Sequence, residues 1–167
     1  MVWDLINREK LRRALLYLLY MAVCLLAQDS IFASLPLFGV NMLFLPAAAV
    51  AIGMFEDGIW GAAFGLVLGF LADISYNYTA LFVAVFPVLG FFAGILSRWL
   101  VNKRFFAYML VCTAGCVVTA AAQMFGLLLK GHGFGSMLWT AIVQVLWSLP
   151  MTAALYFPCE AIARKKI

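Results

Sequence analysis

A carboxylate closes a run of glycines at four-residue spacing: Gly61, Gly65, Gly69 and then Asp73. An acid carried on an apolar helix is a candidate proton relay or ligand contact, because charge inside a bilayer is expensive and marks function by default. Gln28 and Asp29 near the end of the first apolar run, Gln123 and Gln144 in later runs, and the single His132 are the other polar residues to weigh. His132 sits in a glycine-rich turn with no cysteine, histidine or carboxylate at ligand spacing, which argues against a metal site there. Cys112 and Cys116 share a helix face without further ligands. With Cys24 and Cys159 they read as small hydrophobes in apolar runs. No nucleophile has a neighbouring base, no loop resembles a phosphate cradle, and no carboxylates are paired. The sequence therefore predicts no catalytic site, no metal and no cofactor.

The elements that carry these residues are set by composition. The chain has 167 residues, of which 67% are hydrophobic and 11% charged, and its mean hydropathy is +1.08. A soluble domain is nearer half apolar and a quarter charged, so the expected class is an all-α integral membrane protein. Apolar runs of about 20 residues are the unit that crosses a bilayer. Six are expected, at about 14–33, 37–55, 59–74, 80–97, 105–129 and 136–157, forming a single membrane domain over 1–167. The first follows Arg8, Lys10, Arg12 and Arg13, but it is longer than the apolar core of a cleavable signal peptide and is read as a retained span. Pro46, Pro87 and Pro150 fall inside these spans as kinks.

Six spans place both termini on one side, and the charges choose which. Arg8, Lys10, Arg12, Arg13, Arg98, Lys103, Arg104, Arg164, Lys165 and Lys166 collect at one face and only Lys130 at the other. Lysine and arginine in short loops stay inside, so both termini are expected in the cytoplasm. The positive charge thus reports membrane topology and does not call for a nucleic-acid partner. Asp57 and Asp73 are separated by about 24 Å of helix, most of a hydrocarbon core of about 30 Å, which moves Asp73 from a midplane acid to a polar residue near the outer surface. Two roles fit it there: a hydrogen bond tying its span to the outer loop, or contact with a partner or ligand. Gln28 and Asp29 are expected at the same level, in one outer polar cluster with Asp73.

Three glycines in a soluble helix would each cost roughly 1 kcal/mol against alanine. In lipid, where tails are as apolar as leucine, helices associate by close approach at small residues instead. Gly61, Gly65 and Gly69 form such a stripe, and Gly90 and Gly94 repeat the spacing on the next span. Packing of these two spans on each other, or of either on a partner, is the expected use.

The stretch DGIWGAAFGLVLGFLADI, Asp57 to Ile74, resembles the signature of the rod shape-determining protein MreD family, a glycine-spaced third span ending in aspartate. The chain length, basic start, Gln28 late in the first span and basic loop after the fourth agree with it. The resemblance implies a six-helix fold similar to the substrate-binding subunits of energy-coupling-factor transporters, without enzyme activity. It further implies a place in the bacterial inner membrane within the cell-elongation machinery. Its partner there would be an MreC-like single-span scaffold, and through it MreB filaments, a RodA-type glycosyltransferase and a class B penicillin-binding protein of lateral peptidoglycan synthesis. The alternative function on the same fold is a vitamin-binding transporter subunit, with Gln28, Asp29, Asn41, Asp73 and Asn77 as outward polar residues.

Overall fold

The structure is a computed structural model of the chain and describes residues 2–32, 40–76, 80–99, 105–128 and 134–164. All regular elements among these residues are helices. They are α1 (Val2–Leu26, continuing through a π-helical turn at Ala27–Phe32), α2 (Leu45–Phe55), α3 (Gly58–Tyr76), α4 (Leu81–Trp99), α5 (Phe105–Leu128) and α6 (Phe134–Arg164). His132, Asn77, Lys103, Arg104 and Lys130 lie outside the described residues.

Five helices, α1 and α3 to α6, are long and apolar enough to cross a membrane, as a multi-pass membrane protein requires. The second expected span is corrected. Where 37–55 was expected to be one crossing, Val40–Phe44 is non-helical and the helix covers only Leu45–Phe55. Eleven residues rise about 16 Å, roughly half a hydrocarbon core. Pro46 is the physical reason: it stands in the first turn of α2, where its missing N–H is no loss, and its ring would clash with a helix continued upstream. It starts a helix and does not kink one. Two further bounds differ. α1 takes in the whole basic start, since nothing before Ala14 stops a helix, and α6 runs past Phe157 to Arg164 through both Pro150 and Pro158.

α2 sits in the middle of the bundle and touches all five long helices. Ala47, Ala48, Ala49 and Ala51 have no exposed surface at all, because alanine lets neighbours close on every side of the helix. The outer helices are built the other way round. α3 buries Gly58, Gly61, Gly65, Gly69 and Ala72 and turns Ile59, Leu66, Phe70 and Ile74 outward. Small residues inside and large apolar residues outside is the arrangement that lipid, and not water, rewards.

Polar contacts fix which ends lie together. Arg13 on α1 approaches Glu56 at 3.7 Å, the Tyr17 hydroxyl donates to the same carboxylate at 3.0 Å, and Arg98 at the end of α4 pairs with Asp57 at 2.6 Å. The rings of Phe55, Tyr108 and Tyr156 pack in tilted and edge-on pairs at this end as well, joining the start of α5 to the last part of α6. One end of the bundle, here the basic end, therefore collects the N-terminal part of α1, the α2–α3 junction, the end of α4, the start of α5 and the end of α6. Tyr108 is buried at this end, its hydroxyl donating to the Thr152 carbonyl at 2.9 Å.

Candidate functional site

The glycine stripe lies against α4 along its whole length. A methyl group built on Gly61 would fall 2.5 Å from the Gly90 carbonyl oxygen, and one on Gly65 would fall 2.6 Å from that of Phe86. Gly69 faces the Phe82 carbonyl, Gly90 faces Gly61, and Gly94 faces Gly58 just as closely. All of these neighbours are backbone atoms, which cannot swing aside as a side chain can. The five predicted positions thus form an intramolecular seam between α3 and α4. Gly53, which the spacing argument missed, brings α2 onto the same point, in contact with Gly90 and Gly61. The only signal for it in the sequence is its place at the end of the small-residue run AAAVAIG.

At the end of the seam away from the basic end, the two Asp73 oxygens accept hydrogen bonds from the backbone N–H groups of Phe82 (3.0 Å) and Val83 (2.8 Å). These are donors in the first turn of α4 that no intrahelical carbonyl can reach. The carboxylate caps a helix other than its own. The positive end of the α4 dipole supplies the compensation that an acid at the end of α3 requires. Of the two expected roles, the structure gives Asp73 the structural one. Asp73→Asn keeps one acceptor and turns an amide toward a donor, so it is expected to lower stability by about 1–2 kcal/mol, measured by thermal unfolding in detergent.

Just before α4, Ala80 holds φ at +60° with its side chain exposed. The left-handed region costs an L-residue with a Cβ roughly 1–2 kcal/mol. Ala80→Gly should therefore raise the melting temperature, with a gain of about 1 kcal/mol, and an unchanged melting curve would show the strain to be absent.

Gln28 engages a different partner. Buried to 1% exposure in the π-helical turn, its amide nitrogen donates to the Met42 carbonyl, and its amide oxygen accepts from Phe44 N–H at 3.3 Å. From the opposite side, Ser148 of α6 accepts from Leu43 N–H at 3.1 Å, and its one proton is shared between the Leu43 and Gln144 carbonyls. Backbone that leaves the helix inside a membrane protein must find such substitutes, and here two side chains supply them for three consecutive residues. Gln28 meets Phe44, which lies about 18 Å of helix from Glu56, and Asp73 lies about 24 Å from Asp57. The two bond to different segments, Gln28 to Met42 and Phe44 and Asp73 to Phe82 and Val83, and Asp29 is exposed. The expected outer cluster of Gln28, Asp29 and Asp73 is replaced by two separate devices: a mid-depth staple and a helix cap. The reason is that α2 starts at half depth, so that Gln28 meets its buried N-terminal end.

The four cysteines are all buried and free, in keeping with packing roles. Among the described residues no group of three or more histidines, cysteines or carboxylates could hold a metal ion. The Trp147 indole nitrogen is buried without a hydrogen-bond partner among them. Two apolar grooves open sideways between helices. One, of about 380 Å³, runs between α1 and α6; the other, of about 440 Å³, runs between α4 and α5 beside Val50 and Gly115. What this arrangement can do is bind along its flanks and hold its own helices in register. No family model, curated protein or solved structure matches the chain.

Proposed function

We propose that the protein is a non-catalytic membrane component of the bacterial cell-elongation machinery, of the MreD type. In this role it binds an MreC-like single-span scaffold and helps to maintain rod shape through lateral peptidoglycan synthesis. The observation that supports it is the use of the signature stretch: Gly61, Gly65, Gly69 and Asp73 are all engaged in joining α3 to α4. That leaves the large apolar residues of the outer faces as the surface a partner helix meets. In this proposal the basic end faces the cytoplasm, and both termini with it.

Co-expression with the coiled-coil, single-span scaffold protein of the same cell and purification in nanodiscs tests the proposal. A stable complex is expected, and its absence counts against the elongation role. Native mass spectrometry of the purified protein separates the transporter alternative, since a stoichiometric bound vitamin would favour a substrate-binding subunit instead.

A further inference from the structure

The groove between α1 and α6 is lined on one side by Leu16, Leu19, Val23 and Ala27 and on the other by Ala154 and Pro158. From Leu16 to Ala27 it runs about 16 Å along α1. That is the depth of one leaflet, half of a hydrocarbon core of about 30 Å, and too short a seat for a helix that crosses both. The shape suits an acyl chain.

The groove begins one helical turn from the basic end, and its mouth is charged. At 100° per residue the α1 residues that line the groove cover an arc from Leu19 round to Cys24; Arg12 falls inside that arc and Arg8 about 20° beyond its Leu19 edge, so the two arginines stand on the Leu19 side of the groove's mouth. Both are exposed, whereas Arg13, one residue on, turns toward Glu56. Guanidinium groups in this position take phosphate oxygens, and the groove below them takes a chain.

We propose that the α1–α6 groove is a binding site for one anionic phospholipid of the leaflet at the basic end, its acyl chain against Leu19, Val23 and Ala154 and its phosphate on Arg8 and Arg12. The site also covers the α6 backbone where Pro158 removes the hydrogen bond that the Ala154 carbonyl would otherwise accept from within the helix. It does not depend on the elongation role.

The test is native mass spectrometry of the purified full chain titrated with phosphatidylglycerol or phosphatidylcholine of identical acyl chains. The wild type is expected to retain one phosphatidylglycerol with about 30-fold preference, equivalent to about 2 kcal/mol for two guanidinium contacts. In the doubly substituted variant Arg8→Gln, Arg12→Gln the preference should fall to within about threefold. Ala154→Phe fills the groove and should abolish retention of either lipid, and Leu19→Trp, at a position 62% exposed and so tolerant of folding, should do the same. Equal retention of the two lipids by the wild type overturns the proposal. So does an unchanged preference in the arginine variant, or undiminished retention in Leu19→Trp, which would leave only charge attraction at the surface.

Discussion

Gly90→Ala is expected to destabilise the protein by about 3 kcal/mol or more, seen as loss of monodisperse protein and an early thermal transition in mild detergent. The added methyl group would press on the backbone of Gly61, within a point where Gly53 and Gly61 already touch the same residue. Relief requires α2, α3 and α4 to move apart together, and each separation removes van der Waals contact along the seam, the main force between helices in lipid. Two glycines of the same chain serve as controls. Gly115→Ala meets a single side-chain atom, the Val50 methyl group at 3.1 Å, and Gly135→Ala meets nothing within 4 Å. The first should cost less than Gly90→Ala, because one buried methyl group has only a few tenths of an ångström to give, and the second should be neutral or slightly stabilising, as alanine is the better helix former. If Gly90→Ala behaves like Gly135→Ala, the seam is not what holds the bundle. By the same reasoning Gly65→Leu should be more damaging than Asp73→Asn, since a helix cap can be partly replaced and a blocked backbone contact cannot.

Gln28→Leu should rank next, at about 2–5 kcal/mol in the same unfolding measurement. The substitution keeps the volume and the apolar character a membrane favours, yet removes the Gln28 hydrogen bonds to the Met42 carbonyl and the Phe44 N–H at mid-depth. Each such buried bond lost costs about 1–3 kcal/mol. Ser148→Ala removes the partner of Leu43 between them, and because the two side chains hold adjacent residues their effects should not add. A double variant no worse than Gln28→Leu alone would show that Val40–Phe44 is released as one unit. Independent, additive losses would mean that each residue is held separately.

Residues that act within a few turns of one helix are legible in the sequence. Gly61, Gly65 and Gly69 share a face because of their spacing, Gly90 and Gly94 share another, and the short link between those spans makes them antiparallel neighbours. The role of Asp73 was half legible: counting helical rise placed it near one surface and demanded compensation, but the compensating amides belong to the next helix. Gly53 and Ser148 carried almost no signal, since their partners lie 37 and 105 residues away in the chain.

Hydropathy and spacing by themselves determined an all-helical membrane protein, the approximate places of its long helices and the two glycine faces, though not that those faces meet each other. These are local properties: a bilayer demands an apolar run of set length with its hydrogen bonds closed within the segment. Only the tertiary structure decided that Leu45–Phe55 is a half-length helix enclosed by its neighbours. A core helix and a lipid-exposed span are both uncharged apolar runs, and what separates them is what surrounds them. The same fact moved Gln28 from an outer cluster to a staple, because the end of a helix that starts at half depth must be satisfied by side chains from elsewhere in the fold.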